Sequence, residues 1–389
     1  MNITNQLKSI LTISCLILIC SSVKAQRSFV IDGQLASDIN AKIKLSYKNN
    51  GVSIEDSTMV SQGKFQFKGN IGDPTFAKLT LNPPVMITVQ NFSTLDFQDF
   101  FIDGGSMQVK SDKGLKVANI AGGATQNDFK RRGELYKPIQ LKMDSLNKIV
   151  EKHKEGGDVT KMEKARTEMY AEMSKTAGID SNFIKENPGS YLSMDIWRSK
   201  HRGTLRLFLE PEFLHFKPEI RKTFAGREIQ ARFDLAKHIA PGQMAPDFKL
   251  PDTLGKELTL SSFRGKNVFV CFYMPDFMNY ETFAFNLGRI NRVLKDKNFV
   301  MLTVYYSYSD KSAAYWKETI EKSKFNWINL NDVNGITDRG AISPVARAYG
   351  LSYNTMPAGF LIGTDGKILA SQVRLSDTGL AQELEKLIK

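Results

Sequence analysis

The chain has 389 residues, 42% hydrophobic and 24% charged, an ordinary globular balance with material for two or three domains. Its 53 Lys and Arg against 41 Asp and Glu give a formal charge of +12, but the basic residues are scattered among acidic ones. No arginine-rich or aromatic-interleaved run occurs, so the charge reads as a solvated surface and excludes nucleic acid as the expected partner.

From Met1 to Ala25 the chain shows Lys8, an apolar run from Ile10 to Cys20, and Val23 and Ala25 before Gln26. This pattern predicts a secretory signal peptide over 1–25 with Gln26 as the new N-terminus. The apolar run is far shorter than the ~20 residues a spanning helix needs, so no transmembrane segment is expected in the mature chain. Lipidation at Cys20 is disfavoured by the bulky Ile19 before it. Removing the leader takes Lys8 and Lys24 with it and leaves a charge of +10. It also removes Cys15 and Cys20, so Cys271 becomes the one remaining thiol and no internal disulfide can form. Its place in an apolar run predicts burial as a small hydrophobe.

Residues 26–125 read as a β-rich domain. Ala41–Leu45 and Lys64–Lys68 alternate apolar and polar residues, and Phe76–Leu81, Val85–Gln90, Phe97–Ile102 and Met107–Lys110 are further short candidates. Asn49-Asn50-Gly51, Pro83-Pro84 and Gly104-Gly105 punctuate them, which predicts a small β-sandwich. Residues 126–240 read as a helical connector. Ile139, Met143, Leu146 and Val150 recur at helical spacing, Gly156-Gly157 divides the run into two helices, and Asn187-Pro188-Gly189-Ser190 turns into another helical segment. His153, His201, His215 and His238 have no ligand spacing, so no metal is expected.

Residues 241–389 alternate strands and helices. Val268–Tyr273, Phe299–Tyr306 and Gly359–Ile362 are continuous apolar runs of the kind buried strands carry, and Asp365-Gly366 turns the last into Lys367–Ala370. Helical segments are expected over Tyr280–Lys295, Ser312–Ser323, Val345–Tyr349 and Leu380–Ile388. The fold class is therefore α+β multidomain: an N-terminal β-sandwich, a helical connector and a C-terminal α/β domain.

Specific motifs refine the last domain. Met244-Ala245-Pro246-Asp247-Phe248-Lys249-Leu250, Gly255-Lys256-Glu257-Leu258-Thr259-Leu260 and Phe263-Arg264-Gly265-Lys266 precede the first apolar strand. Thr355-Met356-Pro357-Ala358-Gly359-Phe360-Leu361-Ile362 and Asp365-Gly366-Lys367-Ile368 come later. Together these resemble the TlpA-like and AhpC/TSA branch of the thioredoxin superfamily. Exported members carry a β-rich N-terminal domain of unknown function, which Asp56-Ser57 and Gly63–Gly69 resemble.

That resemblance implies a thioredoxin-like fold and, in active members, two cysteines two residues apart at a helix start, where one thiolate attacks a disulfide and the other resolves it. In this register Phe277 and Tyr280 occupy the two cysteine positions, and Cys271 replaces the buried acid that aids proton transfer. Pro357 matches the proline that faces the motif and holds extended substrate backbone, so Pro357, Met356 and Tyr280 are the groove candidates. In a peroxiredoxin register Glu281 replaces the cysteine and Met278 the threonine. Asp276, Glu281, Tyr280 and Tyr273 gather near the expected helix start, and Tyr305, Tyr306 and Tyr308 form an aromatic stretch that could line a groove. No phosphate-cradling, nucleophile-elbow or zinc motif occurs, so no cofactor is expected.

The leading expectation is an exported, non-catalytic thioredoxin-like module that binds an envelope protein or extended polypeptide. The alternatives are a thiol-disulfide oxidoreductase or peroxiredoxin-like antioxidant enzyme with an atypical site built on Cys271, and a protein whose β-rich domain is the working part.

Overall fold

The computed structural model describes residues 26–83, 94–154, 156–202, 205–274, 280–307, 310–323, 325–333, 335–337, 340–341, 343–351, 355–375, 377 and 379–388. The expected signal peptide and the expected strand Val85–Gln90 lie outside these residues. Among the described residues no helix is long and apolar enough to cross a membrane. The chain forms two compact units, one from the residues up to Trp197 with Phe216–Arg227, the other from Arg198–His215 with Glu228–Lys389.

The first unit opens with strands β1 (Arg27–Gln34), β2 (Ala41–Asn49), β3 (Val52–Val60), β4 (Lys64–Ile71), β5 (Thr75–Leu81), β6 (Asp96–Ile102), β7 (Gly105–Lys110) and β8 (Asn119–Ala121). They form two four-stranded sheets, ordered β4-β1-β7-β8 and β3-β2-β5-β6. Alternation decides which side chains meet between them. Phe29 and Ile31 of β1, Phe65 and Phe67 of β4, Ile43 and Leu45 of β2, and Phe100 and Ile102 of β6 enter one core, and the expected β-sandwich is present. Strand β3 lacks that alternation, with Val52 and Met59 both exposed. It is an edge strand held by nine consecutive residue pairs with β2 rather than by apolar burial.

Helices α1 (Ala124–Lys152) and α2 (Val159–Glu186) follow, then α3 (Tyr191–Lys200). Asp103 accepts hydrogen bonds from the Thr125 and Gln126 amides at the start of α1, at 3.1 and 3.0 Å, satisfying donors that have no partner within the helix. Leu146 is buried with Ile139, Met143 and Val150 half-buried beside it, the face that the spacing marked. Arg132 Nε donates to Asp180 Oδ1 at 2.7 Å and ties the two long helices together.

After two short helices, α4 (Phe224–His238) leads into β9 (Lys249–Pro251), β10 (Glu257–Thr259), β11 (Asn267–Tyr273), α5 (Tyr280–Leu294), β12 (Phe299–Ser307), α6 (Asp310–Ser323) and β13 (Ile328–Val333). The chain then runs through β14 (Ile336–Thr337), β15 (Gly340–Ala341), α7 (Pro344–Ala348), β16 (Ala358–Ile362), β17 (Ile368–Val373) and α8 (Leu380–Leu387). The central sheet has the order β13-β12-β11-β16-β17. Strands β11, β12 and β13 run parallel, and β16 and β17 run antiparallel as a hairpin turned at Gly366, whose φ of +83° suits glycine.

Every residue of β11 is buried. Val268, Val270 and Phe272 enter a core on one face of the sheet with Tyr306, Tyr349 and Phe360. Phe269, Cys271 and Tyr273 enter a second core against Phe283, Leu287 and Ile290 of α5 and Leu380 and Leu384 of α8. This is the two-sided burial that its continuous apolar run predicts.

Candidate functional site

The three parallel strands end together. Tyr273 of β11 pairs with Tyr305 of β12, and Tyr306 pairs with Asp332 of β13. Strand β16 begins at Ala358, opposite Phe272, which brings Met356 and Pro357 to the same end of the sheet as Tyr273 and Met274. The Met356–Pro357 peptide bond is cis, and both residues are half-buried. Among the described residues the Met356 main-chain N–H and C=O have no hydrogen-bond partner.

Of the two positions that the resemblance sets against the family cysteines, Phe277 lies outside the described residues together with Asp276 and Met278. Tyr280 is the first residue of α5, with its side chain also outside them. Glu281 is exposed in the first turn of that helix, where a carboxylate is favoured by the helix dipole. The structure thus brings Met356 and Pro357 together with the end of β11.

The aromatic residues considered for a groove separate differently. Tyr273, Tyr305 and Tyr306 are all buried, because strand alternation turns Tyr273 and Tyr305 into one core and Tyr306 into the other. Tyr273 stacks near Phe283 at 4.7 Å between centroids, and Tyr305 lies parallel to Trp316 at 5.8 Å. They are core residues, not groove lining; Tyr308 lies outside the described residues.

Cys271 is fully buried. Its strand neighbours are Thr303 on β12 and Gly359 on β16, and its side chain points into the core beneath α5. Burial alone pushes the thiol far above its ordinary value, because the apolar surroundings disfavour the thiolate. Among the described residues Sγ forms one hydrogen bond, a weak one to the Phe272 carbonyl at 4.0 Å.

A polar pair that sequence reasoning did not single out lies near the same strand ends. Ser343 donates to Asp332 Oδ2, while the Ser343 hydroxyl accepts from the Ala346 amide at 3.0 Å and caps α7. Burial raises the Asp332 carboxyl above its ordinary value, and the Ser343 hydroxyl offsets part of that rise. Asp332 therefore links β13 to the start of the helix that precedes the Pro357 loop.

The family model described as the AhpC/TSA family matches residues 241–371, and the model of a domain of unknown function, DUF4369, matches residues 29–129. No curated protein matches the chain. Among solved structures, the thioredoxin domain of a thiol-disulfide oxidoreductase from Bacteroides vulgatus is 25% identical, with 39% of this chain and 99% of that one covered and a TM-score of 0.33. The C-terminal domain of a putative thiol-disulfide oxidoreductase from Bacteroides thetaiotaomicron is 28% identical, with 39% and 97% covered and a TM-score of 0.32. A putative thiol:disulfide interchange protein DsbE from Chlorobium tepidum is 24% identical, with 39% and 96% covered and a TM-score of 0.31. The two matches divide the chain as the fold does: residues 29–129, similar to the DUF4369 domain, hold most of the sandwich, and residues 241–371, similar to the AhpC/TSA family, hold most of the five-stranded central sheet.

Proposed function

We propose that this protein is exported to the cell envelope and acts there as a non-catalytic thioredoxin-like module, holding an extended polypeptide in a groove formed by Met356, Pro357 and Tyr280. The observation that carries the loss of thiol chemistry is the position of Cys271. Disulfide exchange needs a thiolate that a substrate sulfur can reach. Cys271 is enclosed between β12, β16 and α5, with burial holding it in the neutral thiol form. Phe277 and Tyr280, at the positions of the family cysteines, have no sulfur.

Binding through the groove is supported by the Met356 backbone, without a hydrogen-bond partner among the described residues, beside the end of the central strand. An extended chain laid against it could pair main chain to main chain, with side-chain contacts from Met356 and Tyr280 adding selectivity. Export is supported by the leader-like pattern over 1–25.

Two assays test the proposal. Insulin reduction should proceed at the uncatalysed rate with or without Cys271→Ser; turnover that this substitution abolishes would make the protein a single-cysteine enzyme. A fluorescent, carboxymethylated unfolded protein should bind, and Met356→Glu or Tyr280→Arg should weaken it by about tenfold. Affinity unchanged in both variants would remove the groove from the account.

A further inference from the structure

The two outer faces of the N-terminal sandwich differ. On the sheet β3-β2-β5-β6, Phe101 turns outward and packs against Phe129 of α1 at 5.5 Å, within a small core that includes Phe183 and Leu192. On the sheet β4-β1-β7-β8 the outward side chains are exposed or half-buried and, apart from Val30 and Ala121, polar. Strand register sets them in rows. Lys64, Gln34 and Lys110 lie side by side across β4, β1 and β7, and Gln66, Asp32 and Gln108 form the next row. With strands about 4.8 Å apart, Lys64 and Lys110 stand about 10 Å apart across Gln34.

These six residues line a surface depression of about 510 Å³. Gln66 Nε2 donates to Asp32 Oδ1 at 2.7 Å, which orients the central carboxylate. Neither the Lys64 nor the Lys110 ammonium enters an ion pair among the described residues. The two cations favour an anionic group. Asp32, however, repels a ligand that is anionic throughout and accepts only from donors, while the Gln66 and Gln108 amides both donate and accept. Hydroxyl groups meet that second requirement, and Phe65 and Val109, which also line the depression, are buried beneath the rows and leave little apolar surface for a hydrophobic peptide.

We propose that this face binds an acidic saccharide, with the sugar carboxylate between Lys64 and Lys110 and its hydroxyls on Asp32, Gln66 and Gln108. The proposal is independent of the Pro357 groove.

Calorimetric titration of the whole protein with galacturonic- and glucuronic-acid oligosaccharides, their methyl esters and inorganic phosphate tests it. Saturable binding of at least one acidic oligosaccharide is expected, about tenfold tighter than its uncharged ester and lost to a similar degree in Lys64→Gln/Lys110→Gln. Asp32→Asn is the decisive variant. Removing a negative charge would tighten simple adsorption of anions, whereas saccharide recognition through that carboxylate requires weaker binding. Tighter binding by Asp32→Asn, equal affinity for phosphate, indifference to the lysine substitutions, or no binding of either oligosaccharide would each overturn the proposal.

Discussion

In the N-terminal sandwich the strands other than edge strand β3 show one face to the core and one to solvent or to a helix, whereas β11 in the C-terminal unit is enclosed on both faces. The difference decides where chemistry can be placed. A half-exposed sheet can carry polar groups in rows on its surface, as β4, β1 and β7 do with Lys64, Gln34 and Lys110. A doubly covered sheet has only its strand ends, and there β11 meets Met356 and Pro357. Cys271, two residues before the end of that strand, lies buried within the core rather than at this boundary.

The comparison is broken most severely at Phe272. Its ring lies 4.7 Å from Tyr349, 5.8 Å from Phe360 and 6.1 Å from Tyr306, and it is fully buried. Phe272→Ala should cost ~3–5 kcal/mol, through lost burial and the cavity left behind. Denaturant unfolding followed by the tyrosine and tryptophan signals of this unit measures it. A cost under ~1 kcal/mol would mean that the aromatic cluster closes over the gap.

Cys271→Ser comes next. The hydroxyl would enter a core with no good acceptor, so a loss of ~1–3 kcal/mol is expected. In the wild type a thiol reagent should label the folded protein only through opening, and at pH 7 to 9 far more slowly than it labels the denatured chain. Burial keeps the neutral thiol in the folded state throughout that window, and stability from this group falls only as the unfolded thiol begins to ionise near its ordinary value. Labelling of the folded protein as fast as of the denatured chain would contradict an enclosed thiol.

Much of this arrangement is legible from sequence, for identifiable reasons. Strands β11, β12 and β16 have continuous apolar runs, and β2 and β4 alternate, so pattern alone marks them. Strand β13 is harder: Ile328-Asn329-Leu330-Asn331-Asp332-Val333 contains three residues that strands usually avoid. Its buried polar groups find partners elsewhere, Asn329 accepting from the Thr303 hydroxyl at 2.7 Å and Asp332 from Ser343. Pro357 stands within a recognisable motif. The Asp332–Ser343 pair depends on how β13 and α7 meet, and the Lys64–Gln34–Lys110 row depends on β1 lying between an antiparallel and a parallel neighbour. Pairing of distant segments of this kind leaves no local signal.

Asp332 sharpens the comparison with a smaller effect, in which sign matters more than size. Its carboxyl is raised in the folded state, so the associated stability is complete below the unfolded carboxyl value of about 3.9 and falls as pH rises through the folded value. Asp332→Asn keeps an acceptor for Ser343 without the charge. The variant should therefore gain on the wild type between pH 4 and 7, as measured by urea unfolding at both values. A difference independent of pH would mean that the carboxylate is well solvated.

The smallest effect belongs to the outer face of β4, β1 and β7. Gln108 and Lys68 are exposed there, and among the described residues no core contact or ion pair depends on either side chain. Gln108→Ala and Lys68→Ala should each change stability by no more than about 0.5 kcal/mol, the ordinary range for substitutions away from caps, cores and buried pairs. Thermal unfolding of the two variants beside Phe67→Ala provides the contrast within one strand, since Phe67 is buried in the sandwich core next to outward Lys68. A large loss at Gln108 would show that this face is closed by a packing interaction, and it could not then be open to a saccharide. Near-neutral substitutions would leave the face free to select its polar groups for binding, the freedom that double burial denies to β11.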